Sequence, residues 1–443
     1  MFGFTGGGGN SFGNSSFGGG SSNLGGSSSF GGSTLGGSSS SFGGMGGGMG
    51  TTGGGMGTTG GGMGGNPNND KELTGFSDTP SSVAWSSANF LASGCWDNHV
   101  HFTFTLTNSR TSPKHTAALF LNSQVYIHQV QQQGAMVNAQ GKSKLNHGAP
   151  VLDVAWSSDG KIAYSAGADN MVNMWNVSTG GKQALGRHDA PVNSVFHLQN
   201  AGASTNMIVS SSWDRTIRYW DSRTPGQEKL KVQLPERAYC MDVRNNLLVV
   251  LTAPAMMNKK AQVLIFDVTK PQRPFKGPED APINYQCKCV ATWPNTKGYA
   301  VGSIEGRVAI QHIQSVARKE NFAFKCHRIN NNTRRTSEVY PVNAIAFHPN
   351  GSFATVGADG GYSFWDKDSR HRLKKFQSIK TPITSCAFNA NGSLFAYGVG
   401  YDWHKGAKFH NPSASQKCVM VHAVQPQEVM PKKKAGGGGS KRW

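Results

Sequence analysis

Asp169-Asn-Met-Val-Asn-Met-Trp175 has two counterparts in the chain, Asp214-Arg-Thr-Ile-Arg-Tyr-Trp220 and Asp359-Gly-Gly-Tyr-Ser-Phe-Trp365. Each time an Asp stands six residues ahead of a Trp. Trp220-Asp221 and Trp365-Asp366 end in the same dipeptide, and Trp175-Asn176 and Phe266-Asp267 are near variants. A pattern that returns along a chain marks a repeat architecture, in which each unit buries its apolar face against the next.

Upstream of these segments a small-apolar-aromatic motif recurs: Val83-Ala-Trp85, Val154-Ala-Trp156, Ser194-Val-Phe196, Ala291-Thr-Trp293, Ala344-Ile-Ala-Phe347 and Cys386-Ala-Phe388. Polar turns such as Ser158-Asp-Gly160, Pro349-Asn-Gly351 and Ala390-Asn-Gly392 follow, and each leads into another apolar run. The sequence therefore reads as strand, turn, strand. Units begin near Ser82, Pro150, Pro191, Tyr239, Lys288, Val342 and Ile383, at roughly the 40–50 residues of propeller blades with loop insertions. The expected fold is all-β, a seven-bladed WD-repeat β-propeller over residues 70–424. Ring closure removes exposed sheet edges, and a strand near residues 71–82 is expected to complete the last blade. The first unit is longer than the rest by residues 107–146. Residues 124–130 and 419–424 are strand-rich and are expected to close blades.

In such repeats the turn Asp bonds a His from the preceding loop, and a Ser and the Trp complete the network. His147, Asp169, Trp175, His188, Asp214, Trp220 and Asp359 are accordingly expected to be structural blade locks, not catalytic groups.

No Lys, Arg, Asp or Glu precedes Asp70, so the net charge of +19 belongs to residues 70–443. That balance suits a polyanionic partner, and it also suits a protein that simply stays soluble. Residues 1–69 are rich in Gly, Ser, Thr, Asn, Met and Phe and carry too little apolar surface to offset the entropy of ordering. A disordered Gly/Phe-rich tail is expected there. Its dispersed pairs, Phe2-Gly3, Phe12-Gly13, Phe17-Gly18, Phe30-Gly31 and Phe42-Gly43, suit weak multivalent contacts. A linker-like low-complexity segment is the plainer reading. Residues 425–443 are expected to form a basic, Gly-rich C-terminal tail, with Lys432-Lys-Lys434 near its start.

The seven cysteines form no C-x-x-C pair, so no zinc or redox motif is indicated, and buried free thiols in a reducing compartment are expected. The Met-Phe-Gly-Phe start lacks the charged and apolar regions of a signal peptide. No apolar run is long enough to span a membrane. G-x-S-x-G, P-loop and H-E-x-x-H patterns are missing. His404 near Asp402 lacks an evident nucleophile. No catalytic residue, metal or cofactor is expected, and a binding platform remains.

Several segments resemble the messenger-RNA export factor family of nuclear-pore WD-repeat proteins. They are Gly148-Ala-Pro-Val-Leu-Asp-Val154, His188-Asp-Ala-Pro-Val192, Leu234-Pro-Glu-Arg237, Gly302-Ser-Ile-Glu-Gly-Arg-Val-Ala-Ile310, Asn321-Phe-Ala-Phe-Lys-Cys-His-Arg328, Phe364-Trp-Asp-Lys-Asp368, Phe395-Ala-Tyr397 and Tyr401-Asp-Trp403. The first-unit insertion, the tail length and the closing Gly436-Gly-Gly-Gly-Ser-Lys-Arg-Trp443 depart from the family. The resemblance implies binding to a glutamate-bearing GLEBS segment of an FG nucleoporin and, with it, to single-stranded RNA. It also implies mRNA export receptors as partners and residence in the nucleus and at the nuclear pore, with shuttling to the cytoplasm. A related branch with the same Ser-Ile-Glu-Gly-Arg signature serves the mitotic spindle checkpoint and binds GLEBS-like segments of checkpoint kinases; that role, or a generic WD-repeat scaffold, is the alternative.

Arg307, after Glu305-Gly306, is then expected to hold a partner glutamate bidentately. On the residues alone it would pair with Glu305 in a turn. Phe322 and Phe324 share a strand face, which alone suggests core. The resemblance instead puts them with Trp365 in an exposed groove, beside Lys325, Arg328, Asp366, Lys367 and Arg370. Aromatic rings interleaved with cations suit single-stranded nucleic acid or an acidic peptide.

Overall fold

The computed structural model describes residues 67–97, 99–107, 125–133, 136–198, 206–256, 259–331, 333–411 and 416–431. The expectations about the Phe-Gly pairs and the Lys432–Lys434 cluster lie outside the described residues.

Antiparallel sheets make up almost all of the described structure. Six of them are four-stranded blades, over residues 151–187, 192–233, 238–280, 287–325 and 342–375, with the last over 383–423 plus Lys71–Leu73. In that last blade Lys71, Glu72 and Leu73 pair with Val421, Met420 and Val419, so the N-terminal strand closes a sheet made mostly from the C-terminal end.

The expectation of a seven-bladed propeller is corrected to six four-stranded blades. The first unit is a five-stranded sheet, because the insertion supplies two further strands, Val125–Gln133 and Met136–Asn146; with this sheet numbered first along the chain, the blade over 287–325 is the fifth and that over 342–375 the sixth. Strand His99–Thr107 divides its length between them. His99–Phe102 pair antiparallel with Asn146–Ser143, and Phe104–Thr107 pair parallel with Gln129–Gln132.

The innermost strands touch in cyclic order, from Pro80–Trp85 through Val151–Trp156, Val192–Leu198, Ala238–Arg244, Cys287–Thr292, Val342–Phe347 and Ile383–Phe388 back to Pro80–Trp85. Their starts fall within two residues of the unit starts read from the sequence. Both faces of a blade are covered by neighbours, so its second strand is buried along almost its whole length and does not alternate inside and out, as in the fully buried Leu247–Thr252. Apolar clusters fill the spaces between blades; in one, Tyr219 and Ile217 of one blade pack with Leu248, Val250 and Phe266 of the next.

Polar atoms also link neighbouring blades. The indole Nε1 of Trp85 donates to the Ala387 carbonyl at 3.2 Å, and that of Trp156 to Ala84 at 3.0 Å. The tryptophans that end these two motifs thus reach the preceding blade. Asp153 accepts from Ser82 Oγ on one side (2.7 Å) and from the Val195 N–H on the other (2.9 Å). Burial raises its carboxyl to about 6 in spite of those bonds. All seven cysteines are free, and burial pushes Cys287 and Cys289 up to about 12.

The folded part runs past the expected boundary at 424. A short helix, Pro426–Val429, buries Val429, and its Glu428 bonds His422 at 2.9 Å. No helix among the described residues is long and apolar enough to cross a membrane.

Candidate functional site

The residues read as blade locks lie in three equivalent networks. Trp175 Nε1 donates to Ser165 Oγ (2.7 Å), which contacts His147 Nδ1 (2.8 Å), and His147 Nε2 meets Asp169 at 3.1 Å. Trp220, Ser210, His188 and Asp214 repeat this at 2.8, 2.8 and 2.9 Å. Burial would raise the Asp214 carboxyl, but bonds from His188 and Thr216 hold it well below the carboxylate range. The third network is Trp365, Thr355, His327 and Asp359, at 2.9, 3.0 and 2.7 Å.

His327 was not foreseen as a lock. The histidine stands 22, 26 and 32 residues before its Asp in the three networks. That distance absorbs whatever the chain inserts between blades. The hydroxyl is the constant: Ser165, Ser210 and Thr355 each precede the Trp by ten residues. Searching upstream of Thr355 would have found His327.

The expected exposed aromatic groove is corrected. Phe324 and Trp365 are sealed in the core between the fifth and sixth blades, 2% and 3% exposed, with ring centroids 4.8 Å apart. Asp366 is buried and accepts the Asp368 and Ser369 N–H groups of its own turn. Lys367 is buried as well. Its Nζ reaches Asp368 Oδ1 at 2.5 Å and lies 4.7 Å from the Trp293 ring centre. Phe322 is half-buried, and exposed Arg370 covers it at 4.6 Å. Arg372, also exposed, lies 5.6 Å from the Trp365 ring.

The remaining cations separate along the strand. Lys325 is three residues from Phe322, about 10 Å at ~3.3 Å per residue, and it pairs across to Arg307 at the other end of the blade. Arg328 begins a two-stranded hairpin, Arg328–Asn331 with Thr336–Val339. Between the hairpin and the sixth blade is a cavity of about 620 Å³, whose lining includes Lys325, Arg328, Arg335, Arg372 and Lys375.

Arg307 stands at the start of its strand, 37% exposed at the side chain, with Nε 3.3 Å from Glu305 Oε2. Gly306 between them has φ +62°, and a Cβ there would come within 2.6 Å of the Cys326 carbonyl, so this turn tolerates only glycine. Because blade strands alternate in direction, the loops joining second to third strands and the loops joining blades emerge on one face. Trp96, Trp213, Met256, Tyr285, Ile304, Trp403 and Phe409 all sit in such loops and are exposed. Trp96 and Trp403 are 5.9 Å apart. The sequence reading missed this apolar belt, since isolated exposed aromatics in separate loops carry no shared period.

Blade sheets tied by Trp-Ser/Thr-His-Asp networks define a WD-repeat β-propeller, and the WD domain, G-beta repeat family model matches residues 141–176, 182–221 and 332–366. The chain is 37% identical to "Protein Rae1" of Drosophila melanogaster over 79% of its own length and 91% of that protein. It is 38% identical to the "Poly(A)+ RNA export protein" of Schizosaccharomyces pombe, over 73% and 88%, and 37% identical to an "mRNA export factor" of Xenopus tropicalis, over 88% and 98%. The chain belongs to this mRNA export factor family of WD-repeat proteins.

Proposed function

We propose that the protein is a non-enzymatic adaptor for mRNA export, working in the nucleus and at the nuclear pore, with the five-stranded sheet serving as the seventh blade. What carries the reading is the match, over most of both chains, to relatives named as mRNA export factors. The apolar loop face is its docking platform for a nucleoporin segment of the GLEBS type. Exposed apolar surface rimmed by polar groups is what such platforms require. Arg307 takes a glutamate of that segment, releasing Glu305 to solvent. Single-stranded RNA contacts the edge at Phe322 and Arg370, where the guanidinium seated on the Phe322 ring offers a base its planar face and a phosphate its charge.

The test is capture. The full chain should retain a glutamate-bearing GLEBS peptide on beads, and the Arg307→Glu variant should lose it while melting within a few degrees of the parent. Equal capture by that variant would overturn the assignment.

A further inference from the structure

We propose that the cavity between the hairpin of residues 328–339 and the sixth blade binds a compact polyphosphate anion. The site lies apart from the Phe322–Arg370 edge, and the inference does not depend on the RNA reading.

Five cationic side chains line it: Lys325, Arg328, Arg335, Arg372 and Lys375. Among the described residues none of the five forms an ion pair with Asp or Glu. The one carboxylate in the lining, Asp359, is engaged by His327 at 2.7 Å. Glu338 of the hairpin accepts the Tyr340 hydroxyl at 2.8 Å. Like charges gathered at one place without counter-charge repel, and an anion resolves the repulsion.

Arg328 points to the same occupant. Its Nη2 donates to the Glu305 carbonyl at 2.7 Å, fixing the guanidinium plane, while its buried Nε has no hydrogen-bond partner. A planar fork with a donor left over is suited to a phosphoryl oxygen.

The shape argues for a compact ligand over a strand of nucleic acid. A volume of about 620 Å³ lies within the ~300–1,000 Å³ of small-molecule sites. The aromatic residues in the lining offer no stacking face. Trp365 is 3% exposed with its Nε1 held by Thr355, and Tyr362 is 1% exposed with its hydroxyl on Asp70. Phosphates are recognised here and a base is not. Arg335 comes from the hairpin, Lys375 from the sixth blade, and Lys325 from the fifth, so an anion would also tie the hairpin to both blades.

The test titrates sodium tripolyphosphate into the full chain by calorimetry, at about 150 mM salt where weak surface attraction is screened. One saturable site is expected. Arg335→Ala and Lys375→Ala, both exposed positions, should each weaken it about tenfold, the scale of one charged hydrogen bond. Arg328→Gln should weaken it more. Should Arg328→Gln melt early, the two exposed variants decide. Phe322→Ala with Arg370→Ala should leave tripolyphosphate binding unchanged. No binding, or binding indifferent to Arg335→Ala and Lys375→Ala, overturns the proposal. So does a loss of single-stranded RNA affinity in those two variants without tripolyphosphate binding, which would make the cavity part of an RNA path.

Discussion

The guanidinium of Arg370 lies 4.6 Å from the centre of the Phe322 ring, pairing the fifth blade's outer strand with the turn that ends the third strand of the sixth. Arg370 holds φ +57° there, and its Nη2 donates to the Glu320 carbonyl at 3.2 Å. The pair therefore presents a ring and a cation at a fixed spacing.

Replacing Phe322 by Ala should weaken single-stranded RNA binding by ~1–3 kcal/mol, the worth of one stacked base. Arg370→Ala should weaken it too and lower the slope of log affinity against log salt by about 0.7, the single-strand value for one phosphate contact. Fluorescence anisotropy at several salt concentrations reads both. Lys367→Ala is the contrasting case. Its side chain is buried against Trp293, so the variant should melt earlier whatever it does to RNA. Undiminished RNA affinity in Phe322→Ala and Arg370→Ala would remove this edge from the nucleic-acid path.

Arg307 is tested through its neighbour. Glu305 sits 3.3 Å away, so Arg307→Glu puts two carboxylates side by side, whereas Arg307→Ala only removes the fork. Both should lose the GLEBS peptide, the reversal more completely. Exposed pairs of this kind contribute ~0–1 kcal/mol to folding, so neither variant should melt more than a few degrees lower. Peptide capture beside a melting curve separates the two effects, and full capture by Arg307→Ala would show that apolar contacts suffice.

His327 should matter more to stability than its distance from the Asp359 turn suggests. It is 8% exposed and bonds both Asp359 and Thr355. His327→Ala takes one bond from the half-buried Asp359 carboxylate, which keeps the Gly361 N–H, and one from the buried Thr355 hydroxyl, which keeps the Trp365 indole; the cost is that of two lost hydrogen bonds, about 1 kcal/mol for the neutral one and ~1.5–3 kcal/mol for the one to the carboxylate. Gly357 packs against the His327 ring, where a Cβ would meet Nδ1 at 2.5 Å. Gly357→Ala should therefore destabilise through the same histidine. Denaturant unfolding gives both values. Additive effects in the double variant would mean that the two do not act through one contact.

The frame was legible because it is written locally. Asp, Trp and the small-apolar-aromatic motif lie within one unit, and the unit starts they marked fall within two residues of the inner strands. What the sequence hid is decided between units. The alternation of Phe322 and Phe324 puts both rings on one face, but only the approach of Trp365 from the next blade buries one and leaves the other half-covered. In the first sheet the parallel pairing of Phe104–Thr107 with Gln129–Gln132 has no counterpart among the other described residues to be recognised by. Gln425-Pro426 looks like the start of a tail because Glu428's partner is fixed by a strand from the other end of the chain.

That partner, His422, gives the closing blade a pH dependence. His422 Nδ1 lies 2.6 Å from Asp70, and Nε2 lies 2.9 Å from Glu428. The hydroxyls of Tyr362 and Tyr397 donate to the other Asp70 oxygen at 3.0 and 2.5 Å, and Lys374 lies 3.9 Å from Glu428. Burial alone would lower the imidazole, but its bonds to the two carboxylates raise it to about 9. The folded state therefore holds this proton more tightly than the unfolded chain, whose histidine titrates near 6.5. The stabilisation is complete below about pH 6.5 and is lost as pH rises through about 9, of order 3 kcal/mol in all at 1.36 kcal/mol per pH unit. Tyr362 and Tyr397 are pushed well above their ordinary range by burial and by Asp70, so they stay protonated across that window. Thermal melting between pH 6 and 10 should fall more steeply for the parent than for His422→Asn, which keeps polar contacts but cannot carry the charge. Hydrogen exchange should show Lys71–Leu73 loosening first on the alkaline side, since Asp70 is the anchor of that strand. Parallel melting curves for the two proteins across this range would mean that the imidazole is neutral in the fold.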